Sequence, residues 1–165
     1  MTITAGIITV SDRGARGERE DLSGDEIVRI LLDASVHIMA RDIVPDEKDE
    51  IKVLLREYAD QRQLDLIITT GGTGLSSRDV TPEATREVIE REIPGLAETM
   101  RREGSAHTPF AVLSRAMAGT RGNSLIINLP GSPKAVREGL GVLTSLLVHA
   151  IEKIKGDERE CARSD

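Results

Sequence analysis

Three aspartates and two turns rich in glycine and proline carry the chemistry that can be read from this sequence, because each lies where an apolar run ends. Asp12 and Asp46 follow the first two such runs, and Asp79 lies just beyond the third. The third run breaks into Gly71-Gly72-Thr73-Gly74, where three glycines in four positions let the backbone approach a ligand with no Cβ in the way. Pro130-Gly131-Ser132-Pro133-Lys134 follows the last apolar run. Turns between a strand and a helix aim backbone N–H groups outward and can hold phosphate oxygens. Carboxylates beside a bound phosphate repel it unless a cation intervenes, and Mg²⁺ is the usual one. Arg13, Arg78, Arg115 and Lys134 are available to neutralise charge that develops during phosphoryl-type transfer. The residues alone therefore point to a Mg²⁺-assisted site for a phosphorylated small molecule, such as a nucleotide. Helix capping accounts equally well for Asp46, and a loop cap for Asp12.

The elements that must position these groups alternate between strand and helix. Residues 2–10 read as a first strand, followed by a charged, glycine-bearing loop over 11–18. Ser23 and Glu26 fit a capping box ahead of a helix with Ile27, Ile30, Leu31 and Ala34 on one face. A second strand covers 36–44, with His37 as a surface or half-buried strand residue. Asp46 is then placed to cap a helix carrying Ile51, Leu54, Leu55 and Tyr58. Residues 64–68 form a buried strand that runs into the glycine turn. Thr81 as N-cap and Pro82 at the first position open a helix to about residue 90. Pro94 starts another helix, and 110–113 is a short apolar piece. Gly122-Asn123 joins two extended runs, 116–121 and 124–129, as a hairpin, the one antiparallel feature expected in a mainly parallel sheet. Ser132 caps the longest helix, which Gly156 ends. The pattern is an α/β layer architecture, with 1–156 as a single domain and 157–165 as a polar tail.

Composition narrows the partners. The net charge is −6, and Tyr58 and Phe110 are the only aromatic residues. Neither a basic footprint nor stacking platforms are present, which argues against nucleic acid. The single cysteine, Cys161, excludes an internal disulfide framework, and no Cys/His spacing fits zinc. No signal segment and no membrane-length apolar run is found, so a cytoplasmic location is expected. The sequence has no G-x-x-x-x-G-K-[ST] and no G-x-G-x-x-G after a strand, which disfavours a P-loop NTPase and a dinucleotide dehydrogenase. No cysteine or serine–histidine arrangement points to covalent catalysis.

Residues 70–84, running from Thr70-Gly71-Gly72-Thr73-Gly74 through Arg78-Asp79-Val80-Thr81-Pro82, resemble the signature of the molybdenum-cofactor biosynthesis domain of MogA-type and MoaB-type proteins and gephyrin's N-terminal domain. The likeness continues in Val10-Ser11-Asp12-Arg13, Glu20-Asp21-Leu22-Ser23-Gly24, Val44-Pro45-Asp46-Glu47, Leu113-Ser114-Arg115 and Asn128-Leu129-Pro130-Gly131. This resemblance implies a three-layer α/β/α fold, a homotrimer, and a MoeA-type molybdate insertase as a partner. It also implies transfer of AMP from Mg²⁺-ATP to the terminal phosphate of molybdopterin, with release of pyrophosphate. By the same likeness Asp46 and Asp79 are the functional aspartates, assigned to Mg²⁺ and ATP. Gly71, Gly72, Thr73 and Gly74 then cradle a phosphate. Ser114, Arg115 and the turn of Pro130, Gly131, Ser132 and Lys134 face the pterin or its phosphate, and Ser11 and Asp12 are further binding candidates. Two other readings stay open: a MoaB-like molybdopterin-binding protein without transferase activity, and a nucleotide phosphate-ester hydrolase.

Overall fold

In the computed structural model, which describes residues 2–157, the chain alternates strand and helix around one six-stranded sheet. The expected polar tail lies outside the described residues apart from Asp157, and Cys161 lies outside them too. In chain order the strands are β1 (Thr4–Val10), β2 (His37–Val44), β3 (Leu66–Thr70), β4 (Arg91–Glu92), β5 (Ala118–Arg121) and β6 (Ser124–Leu129). The helices are α1 (Asp12–Ala15), α2 (Leu22–Asp33), α3 (Lys48–Arg56), α4 (Thr81–Arg86), α5 (Pro94–His107) and α6 (Pro133–Ile154). A π-helical turn, Glu57–Gln61, extends α3, and a 3₁₀ turn, Pro109–Leu113, follows α5.

The sheet order is β2-β1-β3-β6-β5-β4. Strands β2, β1, β3 and β6 pair in parallel. Every residue of β3 and β6 is buried, which is why both read as continuous apolar runs with no alternation. Odd and even positions nonetheless serve opposite layers. Ile7, Leu66, Ile68, Leu125 and Ile127 pack with α2, α5 and α6 on one face. Ile8, Ile67 and Ile126 pack with α3 and α4 on the other. The result is the expected three-layer α/β/α fold.

The Gly122-Asn123 hairpin is present, with Arg121 paired to Ser124. The expectation of a single antiparallel feature needs one addition: β4 pairs antiparallel with β5, so β5 alone runs against the other strands. α4 ends at Arg86, short of the expected helix end near residue 90, and β4 follows directly on that span. A two-residue strand leaves no periodicity to detect.

Capping differs from expectation at three helices. Ser23 sits buried inside the first turn of α2, and Asp21 is the N-cap, its Oδ1 accepting the Gly24 N–H at 2.9 Å. Asp46 does not cap α3; Glu47 occupies that position without a side-chain bond. Thr81 is the first residue of α4, not its cap, and its hydroxyl donates to the Gly71 carbonyl at 2.9 Å. The stretch expected as loop after β1 holds the one-turn helix α1, capped by Ser11. Ser132 does cap α6, its Oγ accepting the Ala135 N–H at 3.1 Å.

The two ends of the described chain are tied together by Asp65. Its Oδ2 accepts the Thr4 N–H at 2.9 Å and the Thr4 hydroxyl at 3.1 Å, and its Oδ1 is ion-paired with Lys155. Burial pushes this carboxyl up, but Lys155 and Thr4 more than reverse the effect, so it rests below its ordinary value. An acid held lower in the fold than in the unfolded chain stabilises above its unfolded pKa of about 4, and that gain is lost as pH falls through the folded value. Lys155→Ala leaves the buried carboxylate unpaired and is expected to cost about 2 kcal/mol at pH 7, or roughly 4–8 °C in Tm. Melting curves at pH 7 and pH 3 check this: the gap between wild type and variant should shrink at the lower pH.

Candidate functional site

The carboxyl ends of β1, β3 and β6 open into a cavity of about 560 Å³. Gly71, Gly72, Thr73 and Gly74 form part of its lining, with Asp46 and Asp79. Ser11, Pro130, Gly131 and Ser132 complete the sequence-derived candidates that line it. The N-terminal ends of α2 and α6 contribute Asp21, Leu22, Ser23 and Pro133. Backbone amides at helix N-termini and glycine turns suit an anion, and carboxylates on the same wall suit a cation brought with it.

The glycine turn is shaped by contacts that no other residue type would permit. Gly71 has φ of +95°, and a Cβ there would meet the Val10 carbonyl oxygen at 2.3 Å. Its N–H is already committed to the Leu129 carbonyl at 3.1 Å. The N–H groups of Gly72, Thr73 and Gly74 make no hydrogen bond among the described residues. Of the four amides expected to cradle a phosphate, those of 72, 73 and 74 are thus left available, and that of Gly71 is committed to the sheet.

Asp12 and Asp46 exchange backbone and side chain. The Asp12 N–H donates to Asp46 Oδ2 at 2.9 Å, and the Asp46 N–H donates to Asp12 Oδ1 at 3.0 Å. This stitches the end of β1 to the end of β2. Arg78 takes Asp12 in a two-pronged grip, at 2.8 and 3.1 Å, and reaches Glu47 at 2.8 Å. Asp12 does not line the cavity, and its bond to Arg78 holds its carboxyl below the ordinary value. Asp12 and Arg78 are thus joined in one bridge between the ends of β1 and β2.

Asp46 is the reverse case. Burial pushes its carboxyl up, and the charges of Asp12 and Asp79 push the same way against the Asp12 N–H. An acid whose folded pKa is raised is destabilising when ionised, so the penalty applies above about pH 4 and disappears below it. Asp46→Asn keeps an acceptor for the Asp12 N–H and removes the repelled charge. Its Tm at neutral pH is expected to equal or exceed that of wild type; a drop of more than about 5 °C in a thermal melt would show that the charge itself stabilises. No group of three or more His, Cys, Asp or Glu suited to a metal occurs among the described residues. Two carboxylates on one wall fit a Mg²⁺ ion that takes its other ligands from substrate phosphates and water, not an all-protein cage.

A second cavity, of about 400 Å³ and largely apolar, shares Thr73, Gly74 and Pro130 with the first. Ser114 lines it, with Met100, Phe110 and Leu113. Arg115 and Lys134 line neither cavity. Lys134 is exposed, with its Nζ 3.8 Å from Glu138, and Arg115 is bound to backbone carbonyls and Glu83. Arg19 and Asp21 are among the lining residues missed in the sequence. Among the described residues Arg19 is the only cationic one lining the larger cavity, and nothing in its spacing marks it. Asp21 could have been found from the Asp-x-x-Gly cap spacing. Its side chain is buried, with the Thr9 hydroxyl donating at 2.9 Å and Arg41 Nη2 at 2.7 Å.

Comparison with known proteins gives the family of the chain. Residues 6–149 match the family described as "Probable molybdopterin binding domain". The chain is 42% identical over 159 residues to the molybdopterin adenylyltransferase of Helicobacter pylori strain J99, covering 95% of this chain and 90% of that protein. It is 44% identical to the molybdopterin adenylyltransferase of Haemophilus influenzae, covering 82% of this chain and 70% of that one. Among solved structures, the molybdopterin biosynthesis enzyme MoaB of Thermus thermophilus superposes with a TM-score of 0.89 at 52% identity, covering 94% of this chain and 98% of that one. On the family match, the sequence identity and the shared fold together, this chain belongs to the molybdopterin-binding domain family of molybdenum-cofactor biosynthesis proteins.

Proposed function

We propose that this chain is a molybdopterin adenylyltransferase, transferring AMP from ATP to the terminal phosphate of molybdopterin. A phosphate oxygen of the pterin attacks the α-phosphorus of ATP, the bond to the β-phosphate oxygen breaks, and pyrophosphate leaves. The observation that carries the reading is the shared cavity: Asp46 and Asp79 lie on one wall with the unpaired amides of Gly72, Thr73 and Gly74. The nucleophile is already ionised at neutral pH, so no general base is required. Catalysis then reduces to positioning and charge neutralisation. The three amides and the N-terminal ends of α2 and α6 hold phosphate oxygens, and Asp46 and Asp79 would hold Mg²⁺. When bound, that ion supplies charge neutralisation on the phosphates and the leaving pyrophosphate. Arg19 offers an exposed cation at the cavity wall. Ser114, in the adjoining apolar cavity, is assigned to the pterin side.

The proposal extends to a cytoplasmic homotrimer that passes its product to a MoeA-type molybdate insertase, readings supported by the family likeness. Mass spectrometry of a reaction with molybdopterin, ATP and Mg²⁺ tests the central claim. Adenylyl-molybdopterin and pyrophosphate should form only when all three are present. Pterin binding without pyrophosphate would mark a binding protein, and ATP consumption without pterin a hydrolase; either outcome removes the transferase.

A further inference from the structure

Four successive carbonyls of the glycine turn are each held from behind. The Gly71 oxygen accepts from the Thr81 hydroxyl at 2.9 Å, and the Gly72 oxygen from the Thr81 N–H at 3.1 Å. The Thr73 oxygen accepts from the Arg115 N–H at 2.9 Å, and the Gly74 oxygen from Arg115 Nε at 2.7 Å. A trans peptide plane is rigid, with its C=O and the following N–H pointing in opposite directions. Holding the oxygens of 71, 72 and 73 therefore aims the N–H groups of 72, 73 and 74, the three that have no partner among the described residues. Arg115 does one thing more: its Nη2 donates to the Asp79 carbonyl at 2.6 Å, and Nη1 is paired with Glu83 in the first turn of α4. One guanidinium thus spans the loop from Gly74 to Asp79, anchored on the helix that also supplies Thr81.

We infer that Thr81 and Arg115 are positioning residues for the transfer reaction, Thr81 aiming the glycine-turn amides and Arg115 fixing the Asp79 loop. The inference rests on the transferase reading and reassigns Arg115 away from the pterin. All three guanidinium nitrogens are engaged within the protein, and the residue lines neither cavity. A planar fork is needed to serve two carbonyls and a carboxylate at once, and a lysine offers a single nitrogen.

The test uses Arg115→Lys, Thr81→Val and Thr81→Ser in the full chain. Arg115→Lys and Thr81→Val should lower kcat at least tenfold with the KM for molybdopterin changed less than threefold. Thr81→Ser, which restores the hydroxyl, should recover kcat to within threefold of wild type. Hydrogen–deuterium exchange gives a readout without turnover: peptides covering 71–79 should exchange at least threefold faster in Arg115→Lys and Thr81→Val, while those covering β6 stay unchanged. A kcat within twofold of wild type in both variants, a loss carried by the KM for molybdopterin, or unchanged exchange over 71–79 would overturn the inference. If wild type itself transfers no AMP, the transferase reading falls, and the exchange measurement alone decides whether these residues hold the turn.

Discussion

Asp79→Asn is expected to reduce kcat for AMP transfer by at least about 100-fold, the size of effect seen when one preorganised charge-stabilising group is removed from a transfer site. The fold should hardly notice. Asp79 is half-buried in a loop, and its Oδ2 accepts the Ser76 N–H at 2.8 Å. An amide oxygen replaces that acceptor, so Tm should stay within about 3 °C of wild type. What the substitution removes is negative charge on the cavity wall. The concentration of Mg²⁺ needed for half-maximal rate should therefore rise as well. Steady-state kinetics over a Mg²⁺ series, with a thermal melt of the same sample, separates the two effects. A variant with kcat within fivefold of wild type would take Asp79 out of the mechanism.

Gly71→Ala should do the opposite and damage the fold first. A methyl group there faces a positive φ and a backbone oxygen of β1 at 2.3 Å, and the central sheet cannot move aside. Strain at the dihedral and overpacking together are expected to cost about 3 kcal/mol, or roughly 6–12 °C in Tm. Gly74→Ala is the informative contrast. Its new Cβ would lie 2.8 Å from Asp79 Oδ2, the tip of a side chain that can swing. Stability should hold within about 1 kcal/mol while kcat falls at least tenfold, because the carboxylate is displaced. Melting temperatures that rank the two glycines the other way would contradict this account of the turn.

Much of this was legible because the strongest signals are local. β3 and β6 announce themselves as apolar runs, the Gly122-Asn123 turn has the length and residues of a hairpin, and Ser132-Pro133 reads as a helix start. Residues whose partners the sequence does not announce share a different trait. Asp46 has the right type and place for a cap, but its side chain is claimed by the backbone of Asp12, 34 residues earlier. Arg115 has the type of a ligand-binding cation, and its own partners lie at Gly74 and Glu83, 41 and 32 residues away. Thr81 faces back to Gly71 across the turn it was expected to follow. Residue type and spacing identify a group able to bind or cap; they carry no information on which distant neighbour takes it first. Strand order is hidden for the same reason, since nothing in β3 states that β1 and β6 will flank it.

Tyr58 has a practical consequence for anyone measuring ligands on this protein. It is fully buried, its hydroxyl donates to Asp42 at 2.5 Å, and it packs within the layer formed by α3 and α4. With no tryptophan and a single tyrosine in the chain, intrinsic emission is weak and comes from the side of the sheet near β2. Such a signal reports unfolding of that region, and is nearly blind to events over residues 71–79. The same optical quiet leaves the near-ultraviolet clear, so a conjugated heterocycle such as a pterin can be titrated by its own absorbance or fluorescence with little background from the polypeptide.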